Sequence, residues 1–336
     1  MTSNVLTWGE VMLRLSSPNN QRFSQSESFE ACYGGSEANV AASLAKLGIP
    51  SSFVTRVPKN DLGEAALSTF NYYGVDTSAS SIGGDRLGLY YLEKGVSSRP
   101  GKVIYDRDLS SFATIQPGMI NWKKVFKNIQ WFHWSGITPA LNKTMPAVCL
   151  EALKVATEMG ITISCDLNYR ANLWKYNKKA NEVLPELLQY VDVLFGGKGD
   201  SELMLNIKIK EKDAHEKVFA LWQKEFPRIK TIASTGRTEA NASKCNWQGF
   251  IWQDKRLYTS TQYHISHIVD RVGAGDAYSA GIIYGLLKNK NDLQKVVEFA
   301  TAASCLKYSI VGDVNLATVN EVEQLMLGNA GDRIAR

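Results

Sequence analysis

Residues Asp270 to Asp276 read Asp-Arg-Val-Gly-Ala-Gly-Asp and run straight into an apolar stretch, Ala277 to Leu287. Two glycines and an alanine stand just ahead of an acid, and the acid stands at the mouth of a helix. Small residues let backbone amides approach a ligand closely. A helix start aims unpaired N–H groups and the positive end of its dipole outward. Gly273, Ala274 and Gly275 therefore predict a nest for an anion, with Asp276 beside it. A carboxylate would weaken a simple phosphate site by repulsion. Its presence predicts a base next to a place where negative charge develops. The structural alternative is a tight loop in which Asp276 only caps the helix.

A second stretch carries complementary chemistry. Gly34 to Gly48 reads Gly-Gly-Ser-Glu-Ala-Asn-Val-Ala-Ala-Ser-Leu-Ala-Lys-Leu-Gly. Paired glycines enter a helix whose first turns hold Asn39, a short amide that both donates and accepts. A dinucleotide-binding oxidoreductase fares poorly here. The Gly-x-Gly-x-x-Gly fingerprint is absent, and residues 26–33 do not read as the strand it requires.

Such residues need a scaffold, and the chain alternates strand and helix signals. Strands are expected at 5–8, 52–57, 131–135, 161–166, 191–195 and 229–234. Helices are expected at 36–47, 143–159, 213–226, 274–289, 292–307 and 318–327, and a capping box at Asp61 to Glu64 starts another that ends near Gly74. This rhythm predicts an α/β fold, a doubly wound and mostly parallel sheet flanked by helices. Ligands in such sheets sit at the carboxyl ends of the strands. Two excursions, at about 12–33 and 86–112, break the rhythm. The second holds Leu87 to Leu92 and Lys102 to Tyr105, which read as antiparallel strands. Together they could form a small β-sheet lid that excludes water from a transfer reaction. A hairpin is expected around Gln253. With no repeat or linker, residues 1–336 are read as a single domain.

Bulk properties narrow the classes. Of 336 residues, 44% are hydrophobic and 21% charged, ordinary for a soluble globular chain. The net charge of +5 comes without a dense basic run, so no nucleic-acid partner is expected. Five scattered cysteines with no Cys-x-x-Cys predict neither a zinc site nor a disulfide framework. No signal peptide or membrane-length apolar run is visible, and the cytoplasm is the expected compartment.

The two glycine-rich stretches together resemble both signatures of the ribokinase-like (PfkB-type) carbohydrate kinases. Residues 34–48 match the N-terminal signature throughout. Asp270 to Asp276 match the C-terminal one, with Arg271 where threonine is usual. The resemblance covers nearly the whole chain. It implies a doubly wound kinase fold with a β lid, using ATP and Mg2+. It implies Asp276 as the base that takes a sugar hydroxyl proton, and the amides of Gly273, Ala274 and Gly275 as the anion hole. Gly34, Gly35 and Asn39 would hold sugar hydroxyls.

Finer features resemble the 2-keto-3-deoxygluconate kinase branch: Gly88 to Tyr90, Val103 to Arg107, Ser135 to Ala140, and Asp166 to Arg170 with Trp174. There the substrate is a sugar acid, whose carboxylate a guanidinium can bind with two parallel hydrogen bonds. Arg107 and Arg170 stand at the matching positions. Tyr90 and Tyr105 would add hydroxyl contacts and lid packing, and Asp313 a late substrate contact. Arg107, between Asp106 and Asp108, could instead be a solvated lid charge, and Arg170 could serve ATP rather than sugar.

For ATP the resemblance implies Asn168, Arg170, Thr235, Gly236, Arg237, Gly273 and Gly275. Thr235 to Arg237 stand where the family has a nucleotide loop, although Glu239 and Asn241 alter its glycine spacing. The family's metal-associated Asn-x-x-Glu motif is changed to Gly-Lys-Gly-Asp at 197–200. Asp200 and Glu202 are the metal candidates, unless they only start a helix, where acids are favoured. Arg271 could face nucleotide phosphate or solvent. An uncovered lid edge would offer a dimer contact.

Overall fold

The computed structural model describes residues 5–210, 214–238, 241–289 and 291–328. Asp213, the expected start of one helix, and Glu239 lie outside them. The strands are β1 (Val5–Trp8), β2 (Met12–Ser16), β3 (Glu30–Gly34), β4 (Ser51–Val54), β5 (Arg56–Val57), β6 (Ser81–Ile82), β7 (Gly88–Glu93), β8 (Lys102–Asp106), β9 (Trp131–Ser135), β10 (Thr162–Asp166), β11 (Val193–Phe195), β12 (Thr231–Thr238), β13 (Cys245–Gln253), β14 (Arg256–Thr259) and β15 (Tyr263–Ile265). The helices are α1 (Ser36–Lys46), α2 (Asp61–Tyr72), α3 (Trp122–Val125), α4 (Met145–Glu158), α5 (Ala180–Leu188), α6 (Asp200–Leu203), α7 (His215–Glu225), α8 (Ala274–Asn289), α9 (Leu293–Lys307) and α10 (Val319–Met326).

The main sheet runs β14-β13-β12-β11-β10-β9-β1-β4, with β15 added to β13. Neighbours from β4 to β12 pair in parallel, and β13 to β15 are antiparallel. Side chains of a strand alternate between faces, and the apolar residues divide accordingly. Leu6, Phe132, Ile163, Leu194 and Ile232 enter one core with residues of α4, α5 and α7. Val5, Trp131, Val193, Phe195 and Ala233 enter a second core with residues of α1, α8 and α9. Both faces are covered, which is why the central strands are buried at nearly every position.

Local signals explain most boundaries. Gly48 at φ +78° and Gly160 at φ +70° end α1 and α4 in the left-handed region. There Ile49 N–H bonds back to Leu44 and Ile161 N–H to Ala156. At α2 the cap is Asn60 rather than the Asp61 to Glu64 box, because the Asn60 side chain accepts from Gly63 N–H at 3.1 Å. The expected strand at 52–57 is two strands. Its second piece, β5, leaves the main sheet to pair with β6. Helix α5 had no clean sequence signal, since Pro185 interrupts its pattern.

Both excursions form one four-stranded sheet, β3-β2-β7-β8. The pairs β2/β3 and β7/β8 are antiparallel and β2/β7 is parallel. The stretch before Gly34, expected to be irregular, is thus strand β3, but it belongs to this small sheet. The order in which successive strands are laid down reverses about β1, with β4 added on one side of it and β9 on the other. The crevice above the carboxyl ends of β1, β9, β10 and β11 is where such folds bind ligands, and the small sheet stands over it.

Candidate active site

Asp276 is held from two sides. Asn39 Nδ2 donates to its Oδ2 at 2.7 Å, and Ser36 Oγ donates to its Oδ1 at 3.0 Å. Both donors lie in the first turn of α1, placed there by the Gly34 and Gly35 turn. Asn39 also fixes that turn, accepting from Gly35 N–H at 3.3 Å. Ser36 in turn accepts from Asn168 Nδ2 at 2.9 Å. Burial pushes the Asp276 carboxyl up to about 6, against the lowering pull of the Asn39 and Ser36 hydrogen bonds. That value suits a group that must be ionised near neutrality and still accept a proton.

The nest ahead of Asp276 is tightly specified at one residue and open at another. Gly273 has φ +82°, and a Cβ there would lie 1.8 Å from the Asp313 carbonyl oxygen. At Gly275 a Cβ would meet no heavy atom within 4 Å, and this residue lines the cleft. Ala274 is buried, and its N–H turns onto the Arg271 carbonyl at 3.3 Å. The loop's other groups are braced. Asp270 accepts from Val272 N–H at 3.1 Å and Gly312 N–H at 3.2 Å. Arg271 donates to the carbonyls of Asn241 and Ala242 at 2.8 and 3.0 Å, so its guanidinium straps the loop to a neighbouring turn.

A cleft of about 510 Å³ opens above Asp276. Gly35, Asn39, Tyr90, Tyr105, Arg107, Asn168, Arg170, Gly273, Gly275 and Asp313 line it, so the structure brings together most of the residues singled out from sequence. Their states differ from expectation in three places. Arg107 is 5% exposed, and its Nε and Nη2 both bond to Glu10 Oε2; it is not a solvated charge. Tyr90 donates its hydroxyl to Asp313 Oδ2, so that proton is already committed. Asp313 also accepts from Arg14 Nη1 at 2.6 Å, while Arg14 Nη2 bonds to Asp270 at 2.6 Å. Tyr90, Tyr105 and Arg107 form one wall, with the rings 5.9 Å apart and the guanidinium 5.7 Å from the Tyr105 ring.

A second recess of about 470 Å³ adjoins the first and shares Asp166, Asn168, Arg170 and Gly275 with it. Gly196, Gly197, Asp200, Ser234 and Thr235 complete its rim. Exposed Arg170 therefore stands between two compartments. The expected loop at Thr235 to Arg237 is instead the end of β12, paired with β13 as far as Thr238. Only its first residue reaches the recess. Gly236 sits against the Phe250 ring, and Arg237 lies 5.6 Å over Trp247.

Two carboxylates face this recess. Asp166 is pushed up to about 8 by burial and by the nearby Asp276 charge, and Asp200 is raised by burial. Asp200 also accepts from Gly197 N–H at 2.7 Å. Glu202 is exposed and does not line the recess. Among the described residues no group of three His, Cys, Asp or Glu could hold a metal ion alone. Two carboxylates lining one recess fit Mg2+ arriving with phosphates, since that ion takes few protein ligands and keeps much of its water.

Sequence reasoning passed over Ser36, Glu10, Arg14 and Asp166. Ser36 had a signal, as the residue one turn before Asn39. Glu10 and Arg14 depend on pairings between distant segments, and Asp166 was visible only as the first residue of the 166–170 stretch.

Comparison with known proteins agrees with this geometry. Residues 2–318 match the pfkB family carbohydrate kinase model. The 2-dehydro-3-deoxygluconokinase structure from Thermotoga maritima is 42% identical, with a TM-score of 0.92, covering 97% of this chain and 100% of that one. The 2-dehydro-3-deoxygalactonokinase of Haloferax volcanii is 30% identical over 98% of both chains. The fold is also that of the ATP-bound fructokinase from Xylella fastidiosa, at 18% identity and a TM-score of 0.81, covering 98% and 100% of the two chains. The family match leaves little of this fold outside it, and the chain belongs to the pfkB family of carbohydrate kinases, phosphotransferases that act on sugars.

Proposed function

We propose that this kinase transfers the γ-phosphoryl group of ATP to the primary hydroxyl of 2-keto-3-deoxygluconate, the whole chain working as one unit. The observation that carries the reading is Asp276, pinned by Ser36 and Asn39 at an amide nest, in one cleft with Arg107 and Arg170. The Thermotoga and Haloferax relatives support an acidic sugar as the acceptor.

The sugar acid lies in the larger cleft, its hydroxyls against Gly34, Gly35 and Asn39. Its carboxylate meets Arg107, which spends two donors on Glu10 and has others for a ligand, since a guanidinium carries five N–H groups. Tyr90 and Tyr105 pack on its carbon chain, and Asp313 holds Tyr90 in place. ATP lies in the adjoining recess along Asn168, Thr235 and Gly275, with Gly236 and Arg237 farther out on β12. Arg170 reaches across to the phosphate bridge.

In the transfer step the sugar oxygen bonds to the γ-phosphorus as the bond to the bridging oxygen of ADP breaks. The hydroxyl proton passes to Asp276. The amides at Gly273 and Gly275 meet the charge on the transferred group, with Ala274 shaping the turn; such reactions need alignment and neutralisation above all. Mg2+, held by Asp166, Asp200 and the phosphates, would supply the remaining positive charge. The open lid edges, β3 and β8, are where a dimer would pair.

The test is a coupled ADP-release assay with 2-keto-3-deoxygluconate, its C4 epimer 2-keto-3-deoxygalactonate, 5-keto-2-deoxygluconate, fructose and ribose. The expected order puts the first substrate highest in kcat/KM. Faster turnover of fructose or ribose would overturn the sugar-acid reading. The C4 epimer is a second reading, favoured by the Haloferax relative, and equal rates for both epimers would replace the single substrate with the pair.

A further inference from the structure

Lys307 is fully buried at the last turn of α9, and none of the chemistry above uses it. Its Nζ donates to the Ile310 carbonyl at 2.9 Å and reaches the Asp270 carbonyl at 3.5 Å. One turn earlier, Ser304 donates to the Ala274 carbonyl at 2.7 Å and is equally buried. The Tyr308 carbonyl accepts the N–H groups of Val269 and Asp270 at 2.9 and 3.3 Å. The end of α9 thus grips the phosphoryl loop from behind, at both of its ends.

The grip has a direction. The C=O and N–H of one trans peptide point opposite ways. Anchoring the Ala274 carbonyl on α9 therefore aims the Gly275 amide away from α9, and Gly275 lines the cleft. Carbonyl oxygens from Asp270 and Ile310, turned to one interior point, make a seat for a cation. An ammonium in that seat is costly unless it is compensated. Arg14 serves the side chain of Asp270, whereas Lys307 serves its main chain. Burial and the nearby Arg14 charge draw the Lys307 amine down, while the Asp270, Asp313 and Asp276 carboxylates draw it up. These are the three acids around the loop, so the charge is matched to the site.

We propose that Lys307 is a positioning residue, a tethered internal cation that fixes the 270–276 loop in its anion-accepting shape, so that turnover needs no free monovalent cation. The proposal rests on the reading of Asp276 and its nest as the phosphoryl-transfer centre.

The experiment is steady-state kinetics of the full chain with its sugar acid and ATP·Mg2+, with tetramethylammonium as the sole monovalent cation, then with potassium or ammonium at constant ionic strength. Wild-type kcat is expected to be the same in all three. Lys307→Met should lower kcat by about 100-fold, the scale of losing one anion-hole donor, with both KM values little changed. In Lys307→Ala, ammonium or methylammonium should recover part of kcat, a rescue that a merely structural lysine would not show. A wild-type rate that rises severalfold on adding potassium would overturn the proposal, and this holds even if neither variant folds. Wild-type kcat in Lys307→Met, with only a lower Tm, would also overturn it. Wild-type protein that phosphorylates no sugar or sugar acid would instead sink the underlying reading of Asp276, and this proposal with it.

Discussion

Ser36 Oγ lies 3.0 Å from Asp276 Oδ1, so the first turn of α1 donates directly into the carboxylate at the head of α8. With the Asn39 bond to Oδ2, two helices far apart in sequence share two hydrogen bonds on one carboxylate. The bond favours the ionised acid, and burial opposes it. Asp276→Asn should lower kcat by about 10²- to 10⁴-fold, the usual yield of a positioned base. Circular dichroism and Tm should stay close to wild type.

Losing the Ser36 hydroxyl removes a group that lowers the Asp276 value. The acid limb of kcat/KM should fall near pH 6 in wild type. In Ser36→Ala it should move to higher pH, with the plateau less affected. A pH–rate profile measures both, and an unmoved limb would remove Asp276 from the role of titrating base.

Gly273 and Gly275 should answer alanine oppositely. Gly273→Ala places a methyl 1.8 Å from the Asp313 carbonyl at a left-handed φ. Backbone strain alone costs about 1–2 kcal/mol, and the collision adds to it, so both Tm and kcat should drop. At Gly275 the methyl meets open space, so Tm should hold while KM for ATP rises. Thermal melts and kinetics on the two variants decide it.

Arg107 and Glu10 form a buried pair. Arg107→Ala leaves the Glu10 charge unmatched, a loss of about 3–5 kcal/mol, and KM for the sugar acid should rise more than KM for ATP. Adding Glu10→Gln should return stability but not sugar affinity. Recovery of both would make Arg107 structural only. Arg170 is exposed, so Arg170→Ala should leave Tm unchanged and show in its KM effects which substrate it serves.

Stability and activity should follow pH in opposite directions. Burial raises Asp166 to about 8 and Glu37 to about 7. An acid raised on folding binds its proton more tightly in the folded state. Its stabilising effect is complete below the unfolded value, about 4, and is lost as pH climbs through the folded value. His133, buried and lowered to about 3, works the other way, but only below about 6.5, where the unfolded ring gains its proton. Between pH 6.5 and 8 the acids act without that opposition, so Tm of the ligand-free protein should fall. Asp166→Asn should flatten the slope.

Sequence carried most of the scaffold because its punctuation is local. Gly48 and Gly160 punctuate the helices before them, and the short segments at 131–135 and 161–166, too short for helices and bounded by turn signals, read as strands. It also carried Asp276 and Asn39, since each sits in a motif that makes sense within one turn of chain. The pairings of Arg14 with Asp270 and Asp313, and of Arg107 with Glu10, were not legible. Nothing near any of these residues names its partner, and only folding brings the segments together. The end of β12 was misread for a related reason: Thr235 to Thr238 look like a loop until β13 pairs with them.

Asp313 joins three parts of the molecule. Its carboxylate takes Arg14 and Tyr90 from the lid strands, its carbonyl lies against Gly273, and its Oδ2 would stand 2.0 Å from a Cβ on Gly34. It is also the last of the site residues to be synthesised. During translation the lid, the sugar turn and the phosphoryl loop all emerge before the one residue that locks them together. A nascent chain halted between Asp276 and Asp313 already holds the candidate base and its nest, and lacks the carboxylate that ties the lid strands to them.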